Sequence, residues 1–286
     1  MKNIVLVDTS YMSFYRFFAT LRWYQFANKD DFRKTKEIEN YDWSQNKVFM
    51  EKYNKMFLES IEKLLKKKVI NESIIVFCCD SQRGTLWRKE LYEDYKEGRV
   101  DLSIKNNFKP VFKHTYRKLI PKIIKENKYP MFMFKLNKIE ADDIIAILSK
   151  EIVNEYSKSQ IIIISSDDDF TQLLNKNVKI IDFKKKKFKE NNKEESKKLL
   201  LKKIILGDCS DNIPSVLPKD RKKLSLKRRK LILEDSDELE IFLKENDEYK
   251  KQFEINRKLI DFNYIPKIIK DKIKKKIDIN DLIIVD

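Results

Sequence analysis

Apolar and polar positions alternate between two periods along this chain. Short runs of β-branched and aromatic residues occur at 3–7, 73–79, 131–134, 160–164 and 178–181. They are nearly continuous, as strands buried on both faces are. Between them the period lengthens. Residues 49–65 carry apolar side chains close to a 3.6 repeat, and Ile144, Ile145, Leu148 and Ile152 repeat the pattern. Strands alternating with helices predict an α/β fold, a mostly parallel central sheet with helices on both faces. The stretch from about 81 to 113 breaks the pattern. It is rich in Arg, Lys, Tyr and Glu and too long for an ordinary loop, so it reads as a partly helical, mobile, basic excursion. After about residue 200 the pattern becomes one of short, lysine-dense amphipathic helices. The expected division is an α/β domain over 1–200 and a smaller helical domain over 201–286.

The chain has 286 residues, enough for one large domain with a smaller companion. A hydrophobic fraction of 42% supports a packed core. With 62 Lys and Arg against 46 Asp and Glu the formal charge is +16, which favours a polyanionic partner through counterion release. The same excess arises from AT-rich codon usage on a solvated surface, so charge alone does not choose between these. Three scarcities exclude more. His114 is the only histidine, which rules out a histidine triad or a multi-histidine metal site. The only glycines, Gly84, Gly98 and Gly207, are far apart, and no glycine-rich phosphate loop exists. Cys78 and Cys79 sit side by side in an apolar run, and with Cys209 they form no disulfide framework, which predicts a reducing compartment. No apolar stretch reaches ~18 residues. The expectation is a soluble cytoplasmic protein, in a host's cytoplasm if viral, with no membrane partner.

The acids are placed more tellingly. Asp8, Asp80 and Asp167 each follow a predicted strand, and Asp169 follows two residues on. Glu140, Asp142 and Asp143 lie where a helix should open, and Asp208 and Asp211 share a loop. Singly, each is an ordinary turn or helix-start residue. Sites in open parallel sheets form beyond the carboxyl ends of strands, so these acids should meet at one edge. At ~6 Å and an effective dielectric of ~20, each like-charged pair costs about 3 kcal/mol. Such a cluster calls for cations, and ligands that are all oxygen point to Mg²⁺ or Mn²⁺. Two such ions can activate water and stabilise the leaving oxygen of a phosphodiester. Within an ideal helix Glu140 and Asp143 share a face while Asp142 points away, so the three converge only if the helix starts among them.

The motifs VLVDTS (5–10), Arg88 with Tyr95 to Arg99, EADDIIA (140–146), SSDDDFTQL (165–173) and GDCSDNIPSV (207–216) resemble, in matching order, those of the structure-specific 5′ nucleases. That family includes flap endonucleases and the 5′-nuclease domain of bacterial DNA polymerase I. Similarity to its T-even phage RNase H branch runs on through residues 259–266. The resemblance implies a PIN-like fold and a 5′→3′ exonuclease or flap endonuclease that removes RNA primers or 5′ flaps during replication, leaving a 5′-phosphate and a 3′-hydroxyl. It implies one metal site at Asp8, Asp80, Glu140 and Asp142 and a second at Asp167, Asp169 and Asp208, with Asp143 and Asp211 as additional acids. Arg88 and Lys96 match basic residues that grip the scissile phosphate, and Phe14 an aromatic that stacks on a base. The excursion at 81–113 resembles an arch for the 5′ end. Beyond Pro214 the chain lacks the glycine hairpin of cellular relatives; in its place stands KDRKKLSLKRRK (219–230), in which Lys222, Lys223, Arg228 and Arg229 are expected to hold duplex backbone by charge. The implied partners are a 5′-flap, nicked or primer-containing duplex and a single-stranded DNA-binding replication protein, with the enzyme a monomer. The competing readings are a PIN-type single-strand ribonuclease, which is usually shorter and lacks the arch and the GDxSDN loop, and a non-catalytic DNA-binding replication factor, which would have lost some of the acids.

Overall fold

The computed structural model describes residues 3–98, 107–126, 129–220 and 224–277. All five apolar runs form strands: β1 (Asn3–Asp8), β2 (Ser73–Cys79), β3 (Met131–Lys135), β4 (Ile161–Ile164) and β5 (Val178–Ile181). They pair in parallel in the order β3-β2-β1-β4-β5. Side chains alternate across the sheet, as the pleat requires. Val5, Val7, Ile75, Phe77, Ile162 and Ile164 pack in one cluster with residues of the helices Thr9–Ala27 and Lys47–Leu65. Ile4, Leu6, Ile74, Val76, Ile161 and Ile163 pack in another with the helix Ala141–Glu155. Both faces are therefore covered, which is why the strands carry no polar alternation.

The strand order reverses beside β1, whose neighbours are β2 and β4. A crevice opens at such a switch point beyond the carboxyl ends of the strands. The register sets Asp8 opposite Cys78 and Val7 opposite Ile164. The chain just past β1, β2 and β4 thus emerges at a single edge, bringing Asp8, Asp80 and Asp167 with it.

Beyond the sheet, the helices Lys193–Leu206, Leu226–Glu234, Ser236–Glu245 and Asp247–Ile260 build a third core from Ile204, Ile205, Ile232, Leu239, Phe242, Phe253 and Leu259. Leu86 and Tyr95 join it. The basic excursion is thus anchored at its base to the C-terminal helices; its residues 99–106 lie outside the described part of the chain. The C-terminal helix Lys267–Lys276 then returns to the sheet, where Ile269 and Ile273 pack in the same cluster as Ile144 and Leu148. Among the described residues no helix is long and apolar enough to cross a membrane.

Gly207 ends the helix Lys193–Leu206 at φ +73°, ψ −171°, a conformation essentially reserved for glycine. The loop behind it folds back on itself: Asp208 N donates to Ile213 O (2.9 Å) and Ile213 N to Asp208 O (2.8 Å). A Cβ on residue 207 would stand 2.3 Å from Ile213 O. Gly207→Ala is therefore expected to destabilise the protein by roughly 2 kcal/mol or more, since strained φ/ψ alone costs ~1–3 kcal/mol and a backbone clash adds to it. A chemical denaturation midpoint indistinguishable from wild type would contradict this.

Candidate functional site

The strand-end acids are fixed by backbone they cap. Asp8 caps the helix Thr9–Ala27, with Oδ1 accepting from Tyr11 N (3.0 Å) and Oδ2 from Ser165 Oγ (2.9 Å). Asp80 accepts from Ala141 N (2.8 Å) and from Ser10 Oγ (2.5 Å), and Tyr116 lies 3.0 Å from that hydroxyl. Tyr116 sits on a π-helical turn, Thr115–Leu119, a local insertion frequent at functional sites. Asp167 accepts from Asp169 N (2.8 Å), and Asp208 from Ser210 N (2.7 Å). The capping role and the site role coincide: each cap orients a carboxylate at the sheet edge.

The helix at 140–143 starts among its acids. Glu140 is the N-cap, in extended conformation, and the helix begins at Ala141. Asp143 closes a capping box, accepting from Glu140 N (3.2 Å). This start turns Asp142 and Glu140 to the crevice and Asp143 away from it. A cleft of about 410 Å³ is lined by Asp8, Asp80, Glu140, Asp142, Asp167 and Lys96, with Phe14 in its wall.

Asp143 and Arg88 are placed differently from the expectation of a metal ligand and a phosphate grip. Neither lines the cleft. Both are buried behind it, where Arg88 donates Nη2 to Asp143 Oδ1 (2.8 Å), Nη1 to Glu140 Oε2 (2.7 Å) and Nε to Leu259 O (2.9 Å). Trp87 completes the group, its Nε1 donating to Asp143 Oδ2 (2.8 Å) while its ring lies 4.4 Å from the Arg88 guanidinium carbon. The planar guanidinium matches two carboxylates at once, which draws it inward. Lys96 does reach the cleft and donates to Glu140 Oε1. Asp211 stands beside it, accepting from Tyr95 (3.0 Å) and paired with Lys96 at 3.7 Å.

A second acid group adjoins the first. Lys203 donates to Asp169 Oδ1 and pairs with Asp208 Oδ2 at 2.8 Å. Asp168 is largely exposed and pairs with Lys189 at 2.6 Å. Phe14 is half-buried, with Phe108 and Phe112 packed edge-on against it at 4.6 and 4.7 Å. Arg228 is held by Glu238 (2.7 Å) and by Glu245, and Arg229 donates to the carbonyls of Leu224 (3.3 Å) and Pro218. Arg228 therefore ties its helix to Ser236–Glu245 and Arg229 ties it to the chain before it, and Lys222 and Lys223 lie outside the described residues.

The charges identify what the cleft requires. Burial pushes the Asp8 carboxyl up to about 7, and the charges of Asp80 and Asp167 add to it. Burial also raises Asp142 well above the usual carboxylate range, with Asp167, Asp8 and Asp80 contributing. Asp169 is raised to about 6 by burial and by Asp167, despite Lys203. Burial acts on Glu140 and Asp208 in the same direction but is outweighed, by Lys96 and Arg88 for Glu140 and by Lys203 and Ser210 for Asp208, so both are lowered. Positive charge added to the cleft would relieve the repulsion, and the oxygen-only donors suit a hard divalent cation. Among the described residues no three acids close into a ready-made metal cage.

An acid-lined crevice thus opens at the switch point of a parallel α/β sheet, backed by a buried arginine and edged by a lysine. The chain belongs to the 5′–3′ exonuclease family: residues 3–200 match the model of its N-terminal, resolvase-like domain. It is 31% identical over 237 residues to the ribonuclease H of enterobacteria phage T4, covering 77% of this chain and 75% of that protein. It is 35% identical over 122 residues to the flap endonuclease Xni of Shewanella woodyi, covering 41% of each. Its fold is shared with a bacteriophage T5 protein co-crystallised with metal ions, at a TM-score of 0.60 and 18% identity over 98% of this chain and 99% of that one. The protein is a 5′ nuclease.

Sequence reasoning located the acids but missed Ser10, Trp87, Tyr95 and Tyr116 as their partners, and Lys203. Tyr95 lay within the Tyr95–Arg99 motif and Trp87 next to Arg88; Lys203 carried no signal among many lysines.

The charge arrangement makes two predictions about stability. Arg88→Met leaves Asp143 buried without its ionic partner and Glu140 with Lys96 in place of two cations, and breaking a buried pair on one side costs about 3–5 kcal/mol. Chemical denaturation should show a loss of that size, where Lys96→Ala, nearer the surface, loses less. Asp142→Asn acts oppositely. A carboxyl raised above its unfolded value of 3.8 contributes stability below that pH and loses it as pH rises through the folded value. In chelator, the melting temperature of Asp142→Asn should therefore gain on wild type as pH rises from 4 to neutrality. Parallel curves for the two proteins would refute the crowding.

Proposed function

We propose that this 5′ nuclease depends on divalent cations, takes two of them, Mg²⁺ with Mn²⁺ as substitute, and removes RNA primers or 5′ flaps from replicating DNA, leaving a 5′-phosphate and a 3′-hydroxyl. The observation that carries this reading is the meeting of Asp8, Asp80, Glu140, Asp142 and Asp167 in one cleft with Lys96 at its side. Asp8, Asp80, Glu140 and Asp142 would hold one ion, and Asp167, Asp169 and Asp208 the other. The T5 flap endonuclease, which shares the fold at a TM-score of 0.59, has been crystallised in a pseudo-enzyme–product complex with DNA and metal ions, which supports a metal-dependent action on DNA. Bound there, such ions supply Lewis-acid polarisation of the phosphoryl group and a lowered pKa for water.

The chain's own residues do the rest. Ser165, Ser10 and the Ala141 amide orient Asp8 and Asp80 in the cleft, where the two carboxylates would hold an ion. Arg88 acts as a positioning residue: it holds Glu140 and Asp143 and so fixes the helix start that aims Asp142. Lys96 stands at the cleft, where its ammonium offsets charge developing on the phosphate. Phe14 forms the wall against which an unpaired terminal base stacks. Anchoring of the duplex falls to the segment 219–230 and the helices around it, with Lys222 and Lys223 meeting phosphates while Arg228 and Arg229 brace the segment from within.

A labelled 5′-flap duplex should be cut in Mg²⁺, left intact in chelator, and left intact by Asp142→Asn in Mg²⁺; wild-type turnover by that variant would remove Asp142 from the site. Lys96→Ala should slow single-turnover cleavage about a hundredfold, the usual worth of ~3 kcal/mol for one such contact, with little change in affinity. An effect on affinity alone would make Lys96 a solvated residue. Changing Lys222 and Lys223 to Gln should flatten the salt dependence of duplex binding by ~0.9 for each phosphate no longer neutralised, whereas Arg228→Gln with Arg229→Gln should lower thermal stability and leave the slope in place. The opposite pattern would return the duplex contacts to the arginines.

A further inference from the structure

The second acid group already contains a cation, and it belongs to the protein. Lys203 lies in the last turn of the helix Lys193–Leu206, and its ammonium bridges Asp169 and Asp208. The residue is not a surface lysine that happens to meet an acid, because its side chain is 29% exposed and those of the two carboxylates 24% and 13%. The two acids reach it from independent elements. Asp169 comes from the turn Asp168–Leu173 after β4, and Asp208 from the loop that Gly207 turns and the Asp208–Ile213 bridge closes. The arrangement at Glu140 is different: there Arg88 approaches from behind the cleft and Lys96 from its wall, while Asp8, Asp80 and Asp142 carry no ion pair among the described residues.

We propose that Lys203 is the resident counter-ion of the second acid group and competes with the second divalent cation for the same carboxylate oxygens. The inference rests on assigning Asp169 and Asp208 to that ion. Mg²⁺ binds oxygen at about 2.0–2.1 Å. It cannot take Asp169 and Asp208 together while an ammonium bonds both, since the two cations would then be held within a few ångströms in a partly desolvated pocket. Entry of the ion therefore requires Lys203 to leave. In the free protein the second ion binds weakly for this reason; at the first position Lys96 and Arg88 hold Glu140, but no ion pair among the described residues engages Asp8, Asp80 or Asp142, so the first ion binds more tightly. The lysine keeps the acid pair assembled when the ion is absent and sets the cation concentration at which the second position fills.

The test is binding, not turnover. Mn²⁺ is titrated into wild type, Lys203→Met, Lys203→Arg and the double variant Lys203→Met/Asp208→Asn, with stoichiometry and affinity read by electron paramagnetic resonance and calorimetry, and folding of each confirmed by circular dichroism. Wild type and Lys203→Arg should show one tight ion and one weak ion. Lys203→Met should bind the second ion roughly tenfold tighter or more, within the range usual for coupled sites, and the gain should vanish in the double variant. In chelator Lys203→Met should melt below wild type and should gain more on addition of Mn²⁺. A second ion bound equally by wild type and Lys203→Met overturns the competition and leaves the two-ion reading standing. Absence of a second ion in all four proteins overturns both.

Discussion

Mutual repulsion of carboxylates at one sheet edge is the constraint around which this molecule is built. β1, β2 and β4 end together, so any acids that follow them must face each other. The protein meets the repulsion in three ways that differ by position. Where the acids line the cleft, as Asp8, Asp80 and Asp142 do, hydrogen bonds from Ser165, Ser10 and backbone amides hold Asp8 and Asp80, and burial together with mutual repulsion raises the pKa values of Asp8 and Asp142. Where acids lie behind the cleft, Arg88 neutralises Asp143 and part of Glu140 in a buried, fully bonded group. At the second group, Lys203 fills the gap directly. The unbalanced charge is thereby concentrated where a cation and a phosphate are to meet.

The buried group also ties the two halves of the chain together. Arg88 donates to the Leu259 carbonyl in the helix Asp247–Ile260, and Tyr95 joins Glu140 (3.3 Å) to Asp211. Lys96 N donates to Asp211 O (2.8 Å), and Asn212 Nδ2 to Asp94 O (2.9 Å). The base of the basic excursion is therefore fixed between the helix start at 140–143 and the 207–213 loop. Movement of the C-terminal helices would act on Glu140 through Arg88, and movement of the 207–213 loop through Tyr95, a short path from either to the cleft.

Much of this was legible in the sequence because it depends on local rules. Buried parallel strands declare themselves as unbroken apolar runs, and all five strands lie within a residue or so of those runs. The edge at which Asp8, Asp80 and Asp167 meet followed from strand ends alone. The exact orientation of 140–143 did not, because an ideal helix sends Asp142 and Asp143 in different directions without saying where the helix begins; the capping box between Glu140 and Asp143 decides it. Arg88 was recognisable as important but not as buried, since nothing local reveals that Trp87, Leu259 and two acids enclose it. Arg228 and Arg229 read as duplex contacts because their partners Glu238, Glu245 and Pro218 lie a turn or a helix away in sequence.

Lys203 was the least legible residue for a physical reason that bears on how such sites are read. In a chain with 62 basic residues, one more lysine on an amphipathic helix carries no information. Its meaning arises only when the turn of Gly207 sets the Asp208 carboxylate opposite Asp169 and leaves a space of one cation between them. Acid clusters betray themselves in sequence because strand ends are local features. The cations that balance them come from any element long enough to reach, and a lysine with four methylenes reaches far. The charge balance of a metal-type site is therefore a tertiary property, even where its ligand set is a primary one.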